Sequence, residues 1–365
     1  MTPRILFLVN GLGLGNATRC DAVIQALHRH GAEIQVVTSG NGLWYFRDHA
    51  IVKTVHENES FHYAASDDGR ISIAGTLGAT FGHIQALRRN VKRIEVILKS
   101  WKPDVVVTDS DYTSRPMKRL GIPFAAINNA DVVVHQYARF TDRPKSIRAQ
   151  FHAVERMDAL YHRRVPDRVL SPALDTSIPE AAGNIRRIGP IVRQAMRKAP
   201  VPNVRPKRAV IMLSGSVFGS PVRLTRHDYP VDIDVVGREG ESANLDGGSG
   251  GGRVRFHGKI HDTTELLKRA DLAVINGGFS AVSEMFCLRK PVVVVPVPNH
   301  AEQWINARSI VEMGVGTMCE EQNLERALFN ALAHINDYLD AYRRIPEIPD
   351  GAEQAAQAVL ELIPA

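Results

Sequence analysis

Short apolar segments with strand character alternate with helical segments along this chain, and the alternation starts twice. In the first half, "ILFLV" (5–9) and "EIQVVT" (33–38) flank a segment with helical character at 21–30. A second series starts with "RAVIMLSGS" (208–216) and continues with "ADLAVINGG" and "KPVVVVPVP". Such alternation is typical of parallel sheets with crossover helices. It predicts an α/β fold of two tandem Rossmann-like, doubly wound domains that face a central cleft.

Length and local composition predict the domain boundaries. A chain of 365 residues is too long for one ordinary hydrophobic core. The segment "RKAPVPNVRPKR" is rich in proline and basic residues, which is linker composition. We therefore predict an N-terminal domain at 1–195, a hinge at 196–207 and a C-terminal domain at 208–345. A final helical segment at 346–365 could pack back on the N-terminal domain.

The overall composition excludes several classes of protein. The three cysteines, Cys20, Cys287 and Cys319, are too widely spaced for a metal or disulfide pattern. The first apolar run is too short for a signal peptide, and no window has the roughly 18 apolar residues of a spanning helix. The net charge of +6 admits anionic partners, but no nucleic-acid module is present. We predict a cytoplasmic protein with no nucleic-acid partner.

A glycine pair in the second half predicts a phosphate site. In "ADLAVINGGFSAVSEM" a strand ends at Gly277 and Gly278, Phe279 follows, and a helix begins at about Ser280. Free amides at a helix start attract phosphate. Glu284 follows one turn later on the same face, where its carboxylate could accept hydrogen bonds from both ribose hydroxyls. The alternative for Glu284 is a solvated carboxylate near the positive end of the helix dipole.

A polar cluster follows the next predicted strand, in "PVPNHAEQWINA". His300, Glu302, Gln303 and Asn306 lie close together where the following helix should begin. Adjacent acidic and amide side chains suit a polyhydroxylated sugar, because they accept and donate hydrogen bonds at neighbouring positions. Helix capping and surface polarity would explain one of these residues but not all four.

The first strand runs into a glycine-rich turn, "GLGLGNATRC". Gly11, Gly13 and Gly15 permit a tight turn and close approach of a ligand, and Asn16 and Arg19 follow. The spacing is G-x-G-x-G, which differs from the dinucleotide-binding pattern. A tight strand-to-helix turn without any ligand is the alternative.

The order and spacing of these motifs resemble the GT-B glycosyltransferases, and "GGFSAVSE" and "HAEQWINA" are the most specific pieces. The closest resemblance is to the MurG-like branch, which includes the N-acetylglucosaminyltransferase that completes lipid II and the hydrolase PseG. The resemblance implies direct, inverting transfer from a nucleotide-diphosphate sugar, without metal or other cofactor, to an acceptor that the sequence does not identify. A UDP-sugar is the favoured donor and UDP-N-acetylglucosamine the first candidate.

The resemblance also implies roles for particular residues. Ile260 would lie against the nucleotide base, and the turn Ser214, Gly215 and Ser216 would contact the diphosphate. Glu284 would hold the ribose, and Glu302 with Gln303 would contact the donor sugar. The glycine-rich turn and Arg19 would frame the acceptor and the donor phosphate.

One departure from the family pattern affects the chemistry. Many members have histidine where this chain has Asn16, and an amide cannot take up a proton at pH 7. Asn16 is therefore expected to orient a hydroxyl or phosphate, and another residue must act as base. We select Asp111, from "TDSD" at a strand end, with His62 and His135 as further candidates. A D-x-D metal site is an alternative for Asp109 and Asp111, but it belongs to the GT-A fold.

Two other functions remain open on the same fold. One is a nucleotide-sugar hydrolase or epimerase, and the other is a non-catalytic nucleotide-sugar binder, which the loss of the histidine makes conceivable. The segment 84–102 adds a basic helical face that could touch an anionic membrane, although a solvated helix face is the alternative. Its cations are Arg88, Arg89, Lys92, Arg93, Lys99 and Lys102.

Overall fold

A computed structural model of the chain shows how the two series of strands are arranged. It describes residues 2–59, 80–197, 205–213, 222–225, 228–238, 240–242, 251–260 and 262–364. The side chains at 80–87, 223 and 240–242 are not included in the description. The predicted phosphate turn Ser214–Ser216 and the candidate base His62 lie outside the described residues, as do 198–204 of the predicted hinge.

The first series forms a seven-stranded, wholly parallel sheet in the order β3-β2-β1-β4-β5-β6-β7. Its central strands are almost fully buried and rich in β-branched residues, which pack well when both faces of a sheet are covered. The strands are β1 Arg4–Val9, β2 Glu33–Thr38, β3 Thr54–Glu57, β4 Val105–Asp109, β5 Phe124–Ile127, β6 Arg168–Pro172 and β7 Ile185–Ile188.

Helices connect these strands and cover both faces of the sheet. They are α1 Leu14–Arg29, α2 Gly40–Phe46, α3 Thr80–Trp101, α4 Arg115–Leu120, α5 Ala130–Arg139, α6 Arg148–Gln150 and α7 Arg156–His162. A π-helical turn, Phe151–Glu155, joins α6 to α7. Ile94 and Leu98 of α3 pack on Leu6 and Val106, so one face of the basic helix lies against the sheet.

The second series forms a six-stranded parallel sheet in the order β12-β10-β8-β13-β14-β15. Its strands are β8 Arg208–Met212, β10 Asp232–Val236, β12 Val254–Phe256, β13 Leu272–Asn276, β14 Val292–Val295 and β15 Gly316–Met318. β9 Val222–Leu224 pairs separately with β11 Gly240–Ser242. The associated helices are α8 Thr264–Arg269, α9 Phe279–Cys287, α10 Ala301–Glu312, α11 Leu324–Ala333 and α12 Ile335–Arg344.

The last helix, α13 (Gly351–Leu360), returns to the first sheet. Its small buried side chains, among them Ala352, Ala355 and Ala356, share one hydrophobic cluster with Val23 and Ala26 of α1. Asp350 caps α13 by accepting hydrogen bonds from the amides of Ala352 and Glu353. The chain therefore passes between the two sheets twice, once before β8 and once after α12.

The predicted α/β fold of two doubly wound units is confirmed, but two local predictions are wrong. The first helix begins at Leu14 rather than at residue 21, since Gly13 is its N-cap. Gly15, Asn16 and Arg19 therefore belong to the helix rather than to the preceding turn. β6 and β7 were not predicted, because "RVLSP" and "IRRI" carry too few apolar residues to be recognised as strands.

Each sheet has a switch point, where the strand order reverses. In the first sheet it lies between β1 and β4, and in the second between β8 and β13. Ligands of open α/β sheets bind beyond the carboxyl ends of the strands at such points. The glycine-rich turn after β1, the "DSD" segment after β4 and the Gly277–Gly278 turn after β13 all lie there.

Candidate active site

The glycine-rich turn leaves one open position. A Cβ atom on Gly11 would lie 1.6 Å from the carbonyl oxygen of Ser39, so only glycine fits. A Cβ on Gly13 would meet no atom within 4 Å, and the backbone there is extended, with φ −133°. Gly13 therefore borders empty space at the start of α1, where free amides and the helix dipole favour an anion.

Arg19 forms a buried ion pair with Asp109 at the end of β4. Its Nε donates to Oδ2 at 2.8 Å and its Nη2 to Oδ1 at 2.7 Å, and the Asp109 side chain is fully buried. Burial alone would lower the pKa of Arg19, but the carboxylate outweighs it and the pKa is raised. The ion pair fixes the α1 side of the turn to β4.

Asn16 lies between this ion pair and the turn. Its Nδ2 reaches the carbonyl oxygen of Asn10 at 3.4 Å, and its Oδ1 accepts from Arg19 Nη2 at 3.3 Å. The side chain is half-buried. Both contacts are long for hydrogen bonds, so the Asn16 amide is held only weakly and could turn toward a ligand. Its positioning role stays a prediction.

Asp111 is separated from Asp109 by a sharp backbone turn. Ser110 has φ 54°, a left-handed conformation that is uncommon outside glycine. The Asp111 carboxylate accepts a hydrogen bond from the amide of Thr113 at 2.8 Å. Burial raises the pKa of Asp111, and the hydrogen bonding to Thr113 opposes the rise. The two aspartates thus have separate partners, and Asp109 is committed to Arg19.

The second sheet contributes the predicted phosphate turn. A Cβ on Gly277 would lie 2.4 Å from the carbonyl oxygen of Gln303, whereas one on Gly278 would meet nothing within 4 Å. Gly278 is the N-cap of α9. Ser280 Oγ donates to the carbonyl oxygen of Gly15 at 2.9 Å. The N-termini of α1 and α9 therefore meet, and the amides of both helices border one space.

Glu284 lies one turn into α9 and is paired with a residue that follows β7. Arg193 donates to Glu284 Oε1 from Nη2 at 3.1 Å and from Nε at 3.3 Å, and to Asp262 at 3.0 Å. Burial raises the pKa of Glu284, and Arg193 opposes that rise. Within the described part of the chain, the hydrogen bonds that Glu284 accepts fall on Oε1, which leaves Oε2 for a ligand.

In the polar cluster at α10, some side chains are used in hydrogen bonds within the protein and others keep atoms that could bind a ligand. Asn306 Nδ2 donates to the carbonyl oxygen of Gly277 at 2.9 Å, so this buried amide holds the phosphate turn in place. Gln303 Oε1 accepts from the amide of Val297 at 3.0 Å, which leaves its Nε2. His300 is the N-cap residue of α10, and burial lowers the pKa of its imidazole. Glu302 is half-buried beside it.

The structure adds two residues that the sequence did not single out. Glu155, on the π-helical turn, lies against α10, and its carboxylate oxygen, a nitrogen of His300 and a Glu302 oxygen are within 4.8 Å of one another. Gln150 donates from Nε2 to Glu155 Oε1 at 2.6 Å and accepts from the amide of Ala301 at 2.9 Å. No local motif marks either residue, because only the packing of the two halves brings them to the cleft.

The remaining predicted residues lie around this centre. Ile260 is half-buried after β12, two residues before Asp262, the aspartate that pairs with Arg193. The Phe279 side chain is only 5% exposed, so it offers a ligand chiefly its backbone amide. His135 is exposed on α5, and Asp131 is buried in an ion pair with Arg187. Among the described residues, the candidates that meet at the cleft are those that follow β1, β4 and β13 and those at the start of α10.

Two family models match the chain. Residues 3–159 match the model described as Glycosyl transferase family 1, and residues 240–358 match the Glycosyltransferase family 28 C-terminal domain. Together these matches cover β1 to β5, β11 to β15 and every residue of the cleft described above apart from Arg193.

Known proteins with similar sequences are glycosyltransferases. A Methanosarcina acetivorans protein named an uncharacterized glycosyltransferase is 24% identical over 93% of this chain and 91% of its own length. An Anaeromyxobacter UDP-N-acetylglucosamine--N-acetylmuramyl-(pentapeptide) pyrophosphoryl-undecaprenol N-acetylglucosamine transferase is 28% identical over 64% of this chain and 61% of its own. A Streptomyces glycosyltransferase complexed with thymidine diphosphate shares the fold, with a TM-score of 0.61, 18% identity and coverage of 98% and 99%.

Proposed function

Because the chain belongs to the GT-B glycosyltransferases, in their MurG-like branch, we propose that it transfers a sugar from a UDP-linked donor directly to an acceptor hydroxyl, with inversion at the anomeric carbon. The second sheet holds the donor and the first sheet receives the acceptor. UDP-N-acetylglucosamine is the first donor to test, because it is the donor named for the Anaeromyxobacter relative. Metal-independent transfer is part of this proposal.

One observation carries the proposal: the N-termini of α1 and α9 meet at the switch points of the two sheets. The contact between Ser280 and Gly15 places both helix starts beside the same space. Oriented amides and helix dipoles stabilise the charge that develops on a departing diphosphate. In this proposal Glu284 holds the ribose and Gln303 contacts the hexose.

Nucleotide release distinguishes transfer from the other activities of this fold. The protein is first screened with UDP- and TDP-sugars by thermal shift, since the related Streptomyces enzyme binds thymidine diphosphate. Release of nucleotide is then measured with and without acceptors. We expect release that depends strongly on an acceptor. Steady release in its absence would indicate a hydrolase, and binding with no release under any condition would contradict the proposal.

The first prediction concerns Glu284. Glu284→Ala is expected to weaken UDP binding by about 1.5–3 kcal/mol, the range for hydrogen bonds to a charged group. Arg193 retains Asp262 as a partner, so the fold should survive. Calorimetry with UDP measures the loss, and thermal unfolding checks the fold. Glu347→Gln, at an exposed position before α13, is the matched control. Unchanged UDP affinity would remove Glu284 from the site.

The second prediction concerns Gln303. Gln303→Ala is expected to reduce turnover of the UDP-sugar by about tenfold or more while UDP affinity changes little, because the amide should touch only the hexose. Gln322→Ala, on an exposed segment before α11, serves as control. Equal losses of UDP and UDP-sugar binding would show instead that the variant acts by loosening the loop at Val297.

A membrane location is a further part of the proposal. Within the described residues, no helix combines the length and apolar character needed to cross a bilayer. The exposed face of α3 carries Arg89 and Arg93 near Glu59, and Lys99 beside Glu95. We propose that this basic face contacts the anionic inner surface of a membrane. Co-sedimentation with vesicles that contain anionic lipid should fall as salt rises. Absence of binding at low salt would rule it out.

A further inference from the structure

Glu155 is a buried carboxylate at the junction of the two halves. It is 7% exposed and ends the π-helical turn Phe151–Glu155, an irregularity frequent at functional sites. The side chain belongs to the N-terminal half, but it faces His300 and Glu302 at the start of α10. Its position beside the expected hexose makes it a candidate for chemistry at the acceptor.

Gln150 fixes this carboxylate relative to the other half. One end of its amide donates to Glu155, and the other end accepts from the first amide of α10. Glu155 is therefore held at a defined distance from the donor half whenever the two halves are in contact. His300 Nδ1 is buried and has no hydrogen-bond partner among the described residues, so the cluster is not fully satisfied internally.

The groups around Glu155 favour its protonated form. Burial and, to a smaller extent, the Glu302 carboxylate raise the pKa of Glu155 to about 8, against the opposing hydrogen bond from Gln150. Asp158 of α7 contributes less and is paired with His162 and Asn128. Burial also lowers the pKa of His300, so its imidazole is neutral at pH 7.

Tyr137 and His152 are further titratable rings at the π-helical turn. Tyr137 of α5 stacks on Phe151, and His152 is exposed beside them. Neither contributes to the shift of the pKa of Glu155, which comes from burial and from the carboxylates named above. A carboxyl group with a pKa raised in this way exchanges a proton near neutral pH, as a general base requires.

Glu302 links Glu155 electrostatically to the side of the cleft that carries the glycine-rich turn. The charge of Glu302 acts on Arg19 as well as on Glu155, and Arg19 donates to Asn16. The carboxylate of Glu302 therefore acts both on Glu155 and on the arginine that holds Asn16, the position where many members of the family carry histidine.

We propose that Glu155 is the general base of the transfer reaction, in place of the imidazole that Asn16 does not provide. The proposal rests on the proposed function. The acceptor oxygen forms its bond to the anomeric carbon, and its proton moves to a carboxylate oxygen of Glu155. The bond from the anomeric carbon to the phosphate oxygen breaks, and its electron pair leaves with the nucleoside diphosphate. Glu155 then returns the proton to solvent.

The test is the pH dependence of UDP release from UDP-N-acetylglucosamine that depends on an added alcohol as acceptor. Since Glu155 acts when deprotonated, kcat/KM of the wild-type enzyme should rise with pH and level off above the pKa of Glu155. Glu155→Gln should lose the rising limb and reduce kcat on the order of 10²–10⁴-fold, with UDP affinity unchanged. Glu155→Asp should retain a limb with a lower rate.

A second variant tests the electrostatics independently of the rate. Glu302→Gln removes the neighbouring charge, so the limb should move to lower pH by about one unit. Thermal unfolding of each variant confirms the fold, and Glu347→Gln should keep the wild-type profile. A limb that persists in Glu155→Gln, or that disappears in Asp111→Asn instead, would overturn the proposal.

Two further outcomes can be distinguished from a failure of Glu155 to act as base: a metal-dependent reaction and the absence of transfer from this donor. Loss of wild-type activity on chelation, with recovery on adding Mg²⁺ or Mn²⁺ that Glu155→Gln weakens, would show that Glu155 serves as a cation ligand and would overturn its role as base. Binding of UDP without release from UDP-N-acetylglucosamine, under every condition, would contradict the proposed transfer from this donor, and the role of Glu155 would fail with it.

Discussion

Gly13→Val is expected to abolish sugar transfer and leave the fold intact. The new side chain would stand in the open space between the N-termini of α1 and α9, where the diphosphate or the acceptor must pass. The backbone at Gly13 is extended and a Cβ there would meet no atom within 4 Å, so folding meets no clash. Misplacing reacting groups by about 1 Å can cost 10²-fold in rate, and we expect a loss of at least about that size.

Two other glycines make this result interpretable. A Cβ on Gly183, in a surface segment before β7, would also have no atom within 4 Å, so Gly183→Val should retain full activity. Gly11→Ala should instead destabilise the protein, because the Ser39 carbonyl occupies the required space. Activity and thermal unfolding are measured for all three variants. An active Gly13→Val enzyme would show that the turn has only a structural role.

Asp109→Asn is expected to reduce the free energy of unfolding by about 3–5 kcal/mol, because it leaves the Arg19 guanidinium buried without its counter-charge. Urea denaturation gives the loss from the shift of the midpoint at constant slope. Adding Arg19→Met to Asp109→Asn should recover part of the stability, since the unpaired charge is then removed as well.

An exposed pair provides the comparison. Arg343 and Asp340 lie one turn apart on α12, with side chains 71% and 56% exposed. Asp340→Asn should change the unfolding free energy by less than about 1 kcal/mol. A similar loss for Asp109→Asn and Asp340→Asn would mean that solvent screens the Arg19–Asp109 pair, despite its burial.

The sequence predicts the side of the cleft formed by the second sheet better than the side formed by the first, because the arrangement of the former follows from local spacing. Gly277, Gly278 and Glu284 follow one another within a single strand-turn-helix unit, so local spacing defines their arrangement. The predicted fold follows equally from local alternation of strands and helices, and the structure confirms it. The donor-site roles themselves remain predictions that the variants above can test.

The other side of the cleft depends on contacts between distant segments. Glu155 lies 147 residues before Glu302, and their approach follows from how the two halves pack. The same limitation applies to Asp109, whose "DSD" context suggests a metal or a base but whose partner is Arg19 on another element. The sequence does not single out Arg193 either, because its partners Glu284 and Asp262 belong to the second half.

The return of α13 to the first sheet affects the order in which the protein can be assembled during translation. The hydrophobic cluster beneath α1 includes Ala355 and Val359, which leave the ribosome after every strand of both sheets has been made. Until then, the apolar face of α1 that α13 covers is open to water or to chaperones. The N-terminal half therefore completes its core last, although it is synthesised first, and a fragment that stops before β8 should be recovered folded only when the α13 segment is supplied to it.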